Sequence, residues 1–315
     1  MKSFLRRFQA RLLVLVLLVP VVPALSAQEK DRVDTSAEPG WNLFSVKQDV
    51  ELGRQSAAEI ERQVRLLRDA RVEKYVNAVL ARLTKVAPGA RYPYRARVID
   101  AREINAAALP GGFLYVNRGL IEAARSEAEL AGVLGHEVAH VALRHGTQQA
   151  SKAYAAQAGL GLIGRLLGRG RENREALIEA IGGLGLDAAF LKFSRNDEYQ
   201  ADHVGLRLVN EAGYDPEAMA TFFDKLREEA RRDPGRLEQF LSSHPAPGDR
   251  AARLRADLGQ IDRAPRRSAV GDFEAIRAQL RRLPAPADRA ARGTPLAPGP
   301  PEASLRARQG EGGEP

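Results

Sequence analysis

The chain has no cysteine, which excludes disulfides and lipid attachment at a thiol. In an oxidising compartment its stability must come from core packing and from any metal it binds. A long apolar run is also missing. The N-terminal stretch Leu12–Val22 is broken by Pro20 and falls short of the ~20 residues a membrane-spanning helix needs. Nor is there a basic stripe. Lys and Arg number 48 against 40 Asp and Glu, but the two signs are interspersed, which argues against nucleic acid as a partner. Histidine is scarce, at 5 in 315 residues. Three of the five, His136, His140 and His145, fall in one short segment.

That segment reads Leu134-Gly135-His136-Glu137-Val138-Ala139-His140, a His-Glu-x-x-His pattern inside an apolar run expected to be helical. Positions i and i+4 share a helix face, so both imidazoles project the same way. Two neutral imidazole nitrogens held so suit two corners of a tetrahedral zinc site, with one ion per chain. Glu137, one position on, is placed to take a proton from water activated at the open position. A chance match on a buried helix is the bland alternative, and the clustering of histidines weighs against it.

A catalytic zinc needs a third protein ligand. A third His ten residues after the first would supply one, but that position is Gly146, and His145 is out of register. The better candidate is Glu198 in Asn196-Asp197-Glu198-Tyr199-Gln200-Ala201-Asp202. Glu198 and Asp202 are again four apart on an expected helix. Glu198 would ligate the metal, and Asp202 would hydrogen-bond the far nitrogen of a ligand His and fix its tautomer. Taken alone, the pair reads sooner as a solvated acidic face; beside His136–His140 the metal reading prevails.

These residues together resemble the M48 family of zinc metallopeptidases, in its bacterial periplasmic BepA-like branch, with HtpX and the CAAX prenyl proteases as membrane-integral cousins. Supporting stretches are Asn105–Gly112, Arg118-Gly119-Leu120 and Ser243-His244-Pro245, and the resemblance covers roughly residues 45–260. It implies a secreted or membrane-associated endopeptidase with zinc at His136, His140 and Glu198. It would also allow Asp202 a proton-donor role, for which spacing gives no independent support. Asn105, His244 and Arg250 enter as candidate cleft or regulatory residues. BepA-like proteins carry a long C-terminal helical-repeat domain for which this chain has no room, so roles that depend on that domain are not expected.

Along the chain, Lys2, Arg6, Arg7 and Arg11 precede the apolar stretch, and small residues around Ala27 follow it. Residues 1–27 are therefore expected to be an export signal to the periplasm, with an uncleaved anchor as the alternative. Its loss would lower the net charge from +8 to +4. Residues 28–44 read as a polar leader with Trp41 and Phe44 as docking points. Apolar periodicity predicts helices over Ser45–Leu67 and Val72–Val86, a strand over Tyr94–Asp100 and a hairpin formed by Ile104–Leu109 and Phe113–Asn117. The hairpin's outer edge is expected to hold extended substrate beside the cleft. Ser126-x-x-Glu129 reads as a capping box opening the motif helix, Glu127–Leu143. Thr147–Phe193 reads as either core helices or a mobile lid. Helices are expected over Asn196–Asn210, after Asp215-Pro216, over Arg250–Leu258 and over Phe273–Leu283, with His203 structural and Met219, Phe222, Phe223 and Leu226 in the core.

The expected fold class is α+β, mainly α with a small sheet, zincin-like. Residues 45–262 form the metallopeptidase domain, 263–283 a C-terminal helix and 284–315 a disordered tail. The expected function is zinc-dependent endoproteolysis of envelope proteins in quality control. Partners would be protein or peptide substrates, the outer-membrane assembly machinery or the membrane surface. The alternative is a non-enzymatic envelope chaperone or interaction protein on the same fold.

Overall fold

The computed structural model describes residues 38–153, 155, 193–244 and 250–286. The expected export signal, most of the Thr147–Phe193 stretch, the loop after His244 and the expected tail beyond residue 286 lie outside the described residues. Ser45 opens helix α1 (Val46–Gln63) with a capping box to Gln48, and Asp69 caps α2 (Ala70–Thr84) by accepting from Arg71 N–H and Val72 N–H. Both apolar faces pack against a three-stranded sheet, β1 (Arg95–Ile99), β2 (Ala106–Leu109) and β3 (Phe113–Asn117). The strand order is β1-β3-β2, with β1 parallel and β2 antiparallel to β3.

Alternation along the central strand sorts its side chains to two faces. Phe113 and Tyr115 join Ala57, Ile60 and Leu109 against α1, whereas Leu114 and Val116 join the main core. The hairpin expected from the sequence is the β2–β3 pair, turned through Pro110–Gly112, where Gly111 has φ +77°. The two sheet edges differ. Asn77 of α2 brackets β1, donating to the Ala96 carbonyl and accepting from its N–H, both at 2.9 Å. Leu67 N–H donates to the Val98 carbonyl at 2.8 Å just beyond. Among the described residues no backbone hydrogen bond closes the outer edge of β2.

After a short helix α3 (Arg118–Ala123), the motif helix α4 (Glu127–Ala142) runs through the centre and is buried from Glu129 to its end. Ser126 caps it by accepting from Glu129 N–H, but only half of the expected capping box forms. The Glu129 carboxylate instead accepts from Arg125 N–H at 2.8 Å and pairs with its guanidinium. Helix α5 (Arg195–Glu211) starts at Ser194, which with Asp197 makes a full box. Asp215 accepts from Glu217 N–H ahead of α6 (Glu217–Arg232), with Pro216 at the N-cap in helical conformation. Met219, Phe222, Phe223 and Leu226 are all buried.

The chain then forms α7 (Glu238–Ser243), α8 (Arg250–Leu258) and α9 (Phe273–Arg282). Arg118, buried behind β3, donates to the carbonyls of Leu280 and Pro284 at 2.6 Å each and pairs with Asp100 and Glu122. The Leu280 carbonyl also accepts from Leu283 N–H, so Arg118 adds a second donor there and the C-terminal helix is docked on the domain. No helix among the described residues is long and apolar enough to cross a membrane.

The α4–α5 approach depends on two glycines. A Cβ on Gly205 would stand 3.0 Å from the His136 Cα, and one on Gly135 would stand 2.9 Å from Val209 Cγ2. We expect Gly205→Ala to push the helices apart. The cost should be about 1–3 kcal/mol, as overpacking typically gives, with a matching fall in metal affinity. Urea unfolding with and without zinc measures both; an unchanged midpoint would show that the contact has slack.

Candidate metal centre

Helix α4 supplies His136 and His140 on one face, with their Nε2 atoms 3.0 Å apart. Helix α5 brings Glu198 across its first turn, 3.5 Å from His136 Nε2 and 3.4 Å from His140 Nε2. His244, at the end of α7, adds its Nδ1, 2.9 Å from Glu198 Oε1 and 3.3 Å from His136 Nε2. All four side chains are buried, and one donor atom from each lies within 4.8 Å of the others. Donors sharing a tetrahedral ion at ~2.0–2.1 Å stand about 3.3 Å apart. The separations of 2.9–3.5 Å bracket that edge, so the residues fit a zinc ion in size and donor type.

Charge supports the same fit. Glu137, Glu198 and Asp202 are all buried, and among the described residues the guanidinium beside them is that of Arg250. Three carboxylates against one cation leave two negative charges that a divalent ion would neutralise. Burial alone would raise the Glu198 carboxyl, but His244, Arg250 and the hydrogen bonds to His136 and His140 hold it well below its ordinary value. Burial likewise opposes ionisation of Asp202, and Arg250 and His136 overcome it. Burial and the Arg250 charge disfavour a proton on His136, yet its bonds to Asp202 and Glu198 prevail and push it up to about 9. A proton thus stands where a cation would. For His140 burial wins, and its pKa falls well below the ordinary range.

Glu137 differs from its neighbours. Burial raises its pKa, against the pull of His244 and His136; its Oε1, like Glu198 Oε2, has no hydrogen-bond partner. The His244 Nε2 lies 3.5 Å from that oxygen.

Asp202 stands one turn beyond Glu198, and its Oδ1 is 3.0 Å from His136 Nδ1. Arg250 at the start of α8 hydrogen-bonds Asp202 and stands as a charge beside Glu198. Its Nε donates to Asp202 at 2.7 Å and its Nη1 stands 2.9 Å from Glu198 Oε2, while its Cζ sits 4.0 Å over the Phe223 ring. Asn105 is not part of this cluster. It precedes β2, where its carbonyl accepts from Asn117 N–H. The opposite end of that strand, at Leu109–Gly111, shares a small cavity with His140 and Phe193.

Several contacts escaped the sequence. Phe193 stacks on His140 at 3.9 Å between centroids, Phe240 stacks on His244 at 5.0 Å, and Phe223 meets His136 edge-on. Apolar residues at helical spacing signal core and nothing about which ring they touch. His145 is not among the four converging donors, but it is buried, with Nδ1 2.9 Å from His140 Nδ1 and Nε2 3.0 Å from Gln200 Oε1. His203 bonds Asp257 on the far side of α5, consistent with a structural role.

Comparison with known proteins agrees with this geometry. The profile of peptidase family M48 matches residues 67–258. The beta-barrel assembly-enhancing protease of Escherichia coli (strain K12) is 28% identical over 255 residues, covering 80% of this chain and 52% of that protein. The metalloprotease LoiP of the same organism is 31% identical over 166 residues, 52% of this chain and 62% of that one. A mitochondrial metalloendopeptidase of Schizosaccharomyces pombe is 31% identical over 180 residues, 57% of this chain and 51% of that one. The chain spans about half the length of the curated relatives it matches first. With the profile match running across the motif helix, the Glu198 helix and Arg250, the chain belongs to peptidase family M48.

Proposed function

We propose that the chain is a zinc-dependent endopeptidase acting on proteins of the bacterial envelope, in the periplasm, after export by residues 1–27. The carrying observation is the convergence of His136, His140 and Glu198 around a point that the unpartnered Glu137 carboxylate also adjoins. Zinc held by His136, His140 and Glu198 would polarise a scissile carbonyl and bring the pKa of water near neutrality. Glu137, with its raised pKa, is suited to take the proton of the attacking water and pass it to the leaving amine. Asp202 accepts from His136 Nδ1–H and keeps the other nitrogen free to ligate. The outer edge of β2, which no backbone hydrogen bond closes among the described residues, is suited to an extended peptide backbone. The name of the Escherichia coli relative, beta-barrel assembly-enhancing protease, supports β-barrel assembly as the setting.

Zinc content and casein hydrolysis of the purified chain test the reading. We expect about one zinc per chain, hydrolysis abolished by a chelator, and loss of most bound metal in Glu198→Ala. Full metal retention in Glu198→Ala would remove that ligand from the assignment. The rival reading, a non-enzymatic chaperone on the same fold, gives Glu137 no role, since a purely structural site needs no base beside its ligands. Zinc binding without any hydrolysis would favour the rival.

His244 has its own role in this reading. Its Nδ1 stands at the fourth corner of the cluster, which supports a latent state in which the ring closes the position water would need. His244→Ala should then raise basal casein hydrolysis several-fold while zinc is retained. A lowered turnover would instead assign the ring to stabilising the developing oxyanion.

A further inference from the structure

We propose that His145, backed by Gln200, is the positioning residue for His140, doing on that side of the centre what Asp202 does for His136. The proposal rests on the reading of His140 as a zinc ligand. It stands on two contacts, His140 Nδ1 to His145 Nδ1 at 2.9 Å and His145 Nε2 to Gln200 Oε1 at 3.0 Å. A neutral imidazole carries one donor and one acceptor, so the Gln200 oxygen sets the whole chain. It accepts from His145 Nε2–H, which leaves His145 Nδ1 as an acceptor for His140 Nδ1–H. The His140 Nε2 lone pair is then directed at the converging donors. Were the Gln200 amide reversed, every proton would shift by one place, and His140 would turn an N–H toward Glu198 and be unable to ligate. The relay has two states, and only one is compatible with metal.

The backbone explains how His145 reaches His140. In an unbroken helix a residue five positions on lies ~140° around the axis, facing away. Helix α4 ends at Ala142, and Arg144 takes φ +59°, the one non-glycine residue with positive φ among those described. Such a conformation is uncommon for a side-chain-bearing residue and is held here from outside. Arg144 grips Asp49 of α1 with Nε at 2.7 Å and Nη2 at 3.0 Å, and donates to the Phe44 carbonyl. The reversal folds His145 back under His140, where its side chain is fully buried.

The test is a chelator-competition titration of zinc on the full chain for wild type, His145→Phe and His145→Asn, with imidazole 15N spectra of the zinc-loaded wild type. Phe preserves ring packing and lacks the acceptor; Asn returns an oxygen near the Nδ1 position. We expect zinc affinity to fall about 10–100-fold in His145→Phe, the range for lost orienting partners, and to be largely recovered in His145→Asn. The spectra should show His140 protonated on Nδ1 and His145 on Nε2. Wild-type affinity in His145→Phe, or His145 protonated on Nδ1, would overturn the relay while leaving the zinc reading intact. Absence of zinc binding by the wild type would overturn both. Should His145→Phe fail to fold, the wild-type spectra decide alone.

Discussion

Glu137→Gln should leave zinc content near wild type and lower casein hydrolysis by about 10²–10⁴-fold, the usual contribution of a positioned general base. The amide is nearly isosteric with the carboxyl, so packing along α4 is conserved and only the capacity to take a proton is lost. The residue is 1% exposed and its Oε1 lacks a partner, which in a zinc-free protein is a cost. The sign of that cost follows from its pKa, raised by burial from 4.5. Between 4.5 and the raised value the folded chain holds a proton that the unfolded chain has released, so stability falls as pH rises through this window. Above the window the full cost remains. The Gln variant is free of it and should unfold at equal or higher urea than wild type at neutral pH without zinc. Retention of near-wild-type hydrolysis would show that another group activates the water, and His244, 3.5 Å from Glu137, would be examined first.

The parts of this architecture legible in the sequence are those set by local periodicity. His136, Glu137 and His140 needed only the i, i+4 rule, and Ser126, the Arg250–Leu258 helix and the β2–β3 hairpin needed only capping and turn chemistry. Glu198 and Asp202 required one further step, the demand of a catalytic metal for a third ligand and an orienting partner. What remained hidden depends on the chain meeting itself at a distance. Arg250 enters as a candidate only through the family resemblance; it lies 48 residues from Asp202 and 114 from His136, and nothing in a basic helix start announces that its guanidinium is buried. His145 is out of register with the third-histidine pattern, and the left-handed Arg144 that brings it to His140 is held by Asp49, 95 residues earlier. The parallel β1–β3 pairing was equally invisible, since a hairpin motif says nothing about which edge a preceding strand joins.

Arg250→Met should cost the zinc-free chain about 3–5 kcal/mol, the range for removing one partner of a buried ion pair, and should weaken zinc binding as well. Methionine replaces much of the stem that packs over Phe223, so the loss reports charge rather than volume. Burial alone would raise the carboxyls of both Glu198 and Asp202, and Arg250 is a principal reason that they stay depressed. A depressed carboxyl contributes stability that is present above its unfolded value, near 4.5 for Glu198 and 3.8 for Asp202, and is lost as pH falls through the folded value. Without the guanidinium that contribution shrinks, and the protein should be left with two poorly compensated charges at neutral pH. Zinc bound at the centre would supply positive charge at the same place, so saturating metal should recover part of the stability. The difference between variant and wild type should therefore be smaller in zinc than in chelator. Arg250→Lys keeps the charge but not the fork that serves Asp202 and Glu198 together, and belongs between the two. Urea unfolding of the three proteins with zinc and with chelator measures all of this. Equal midpoints for Arg250→Met and wild type in chelator would mean that Glu198 and Asp202 are neutral or hydrated without Arg250, and the electrostatic account of the centre would have to be withdrawn.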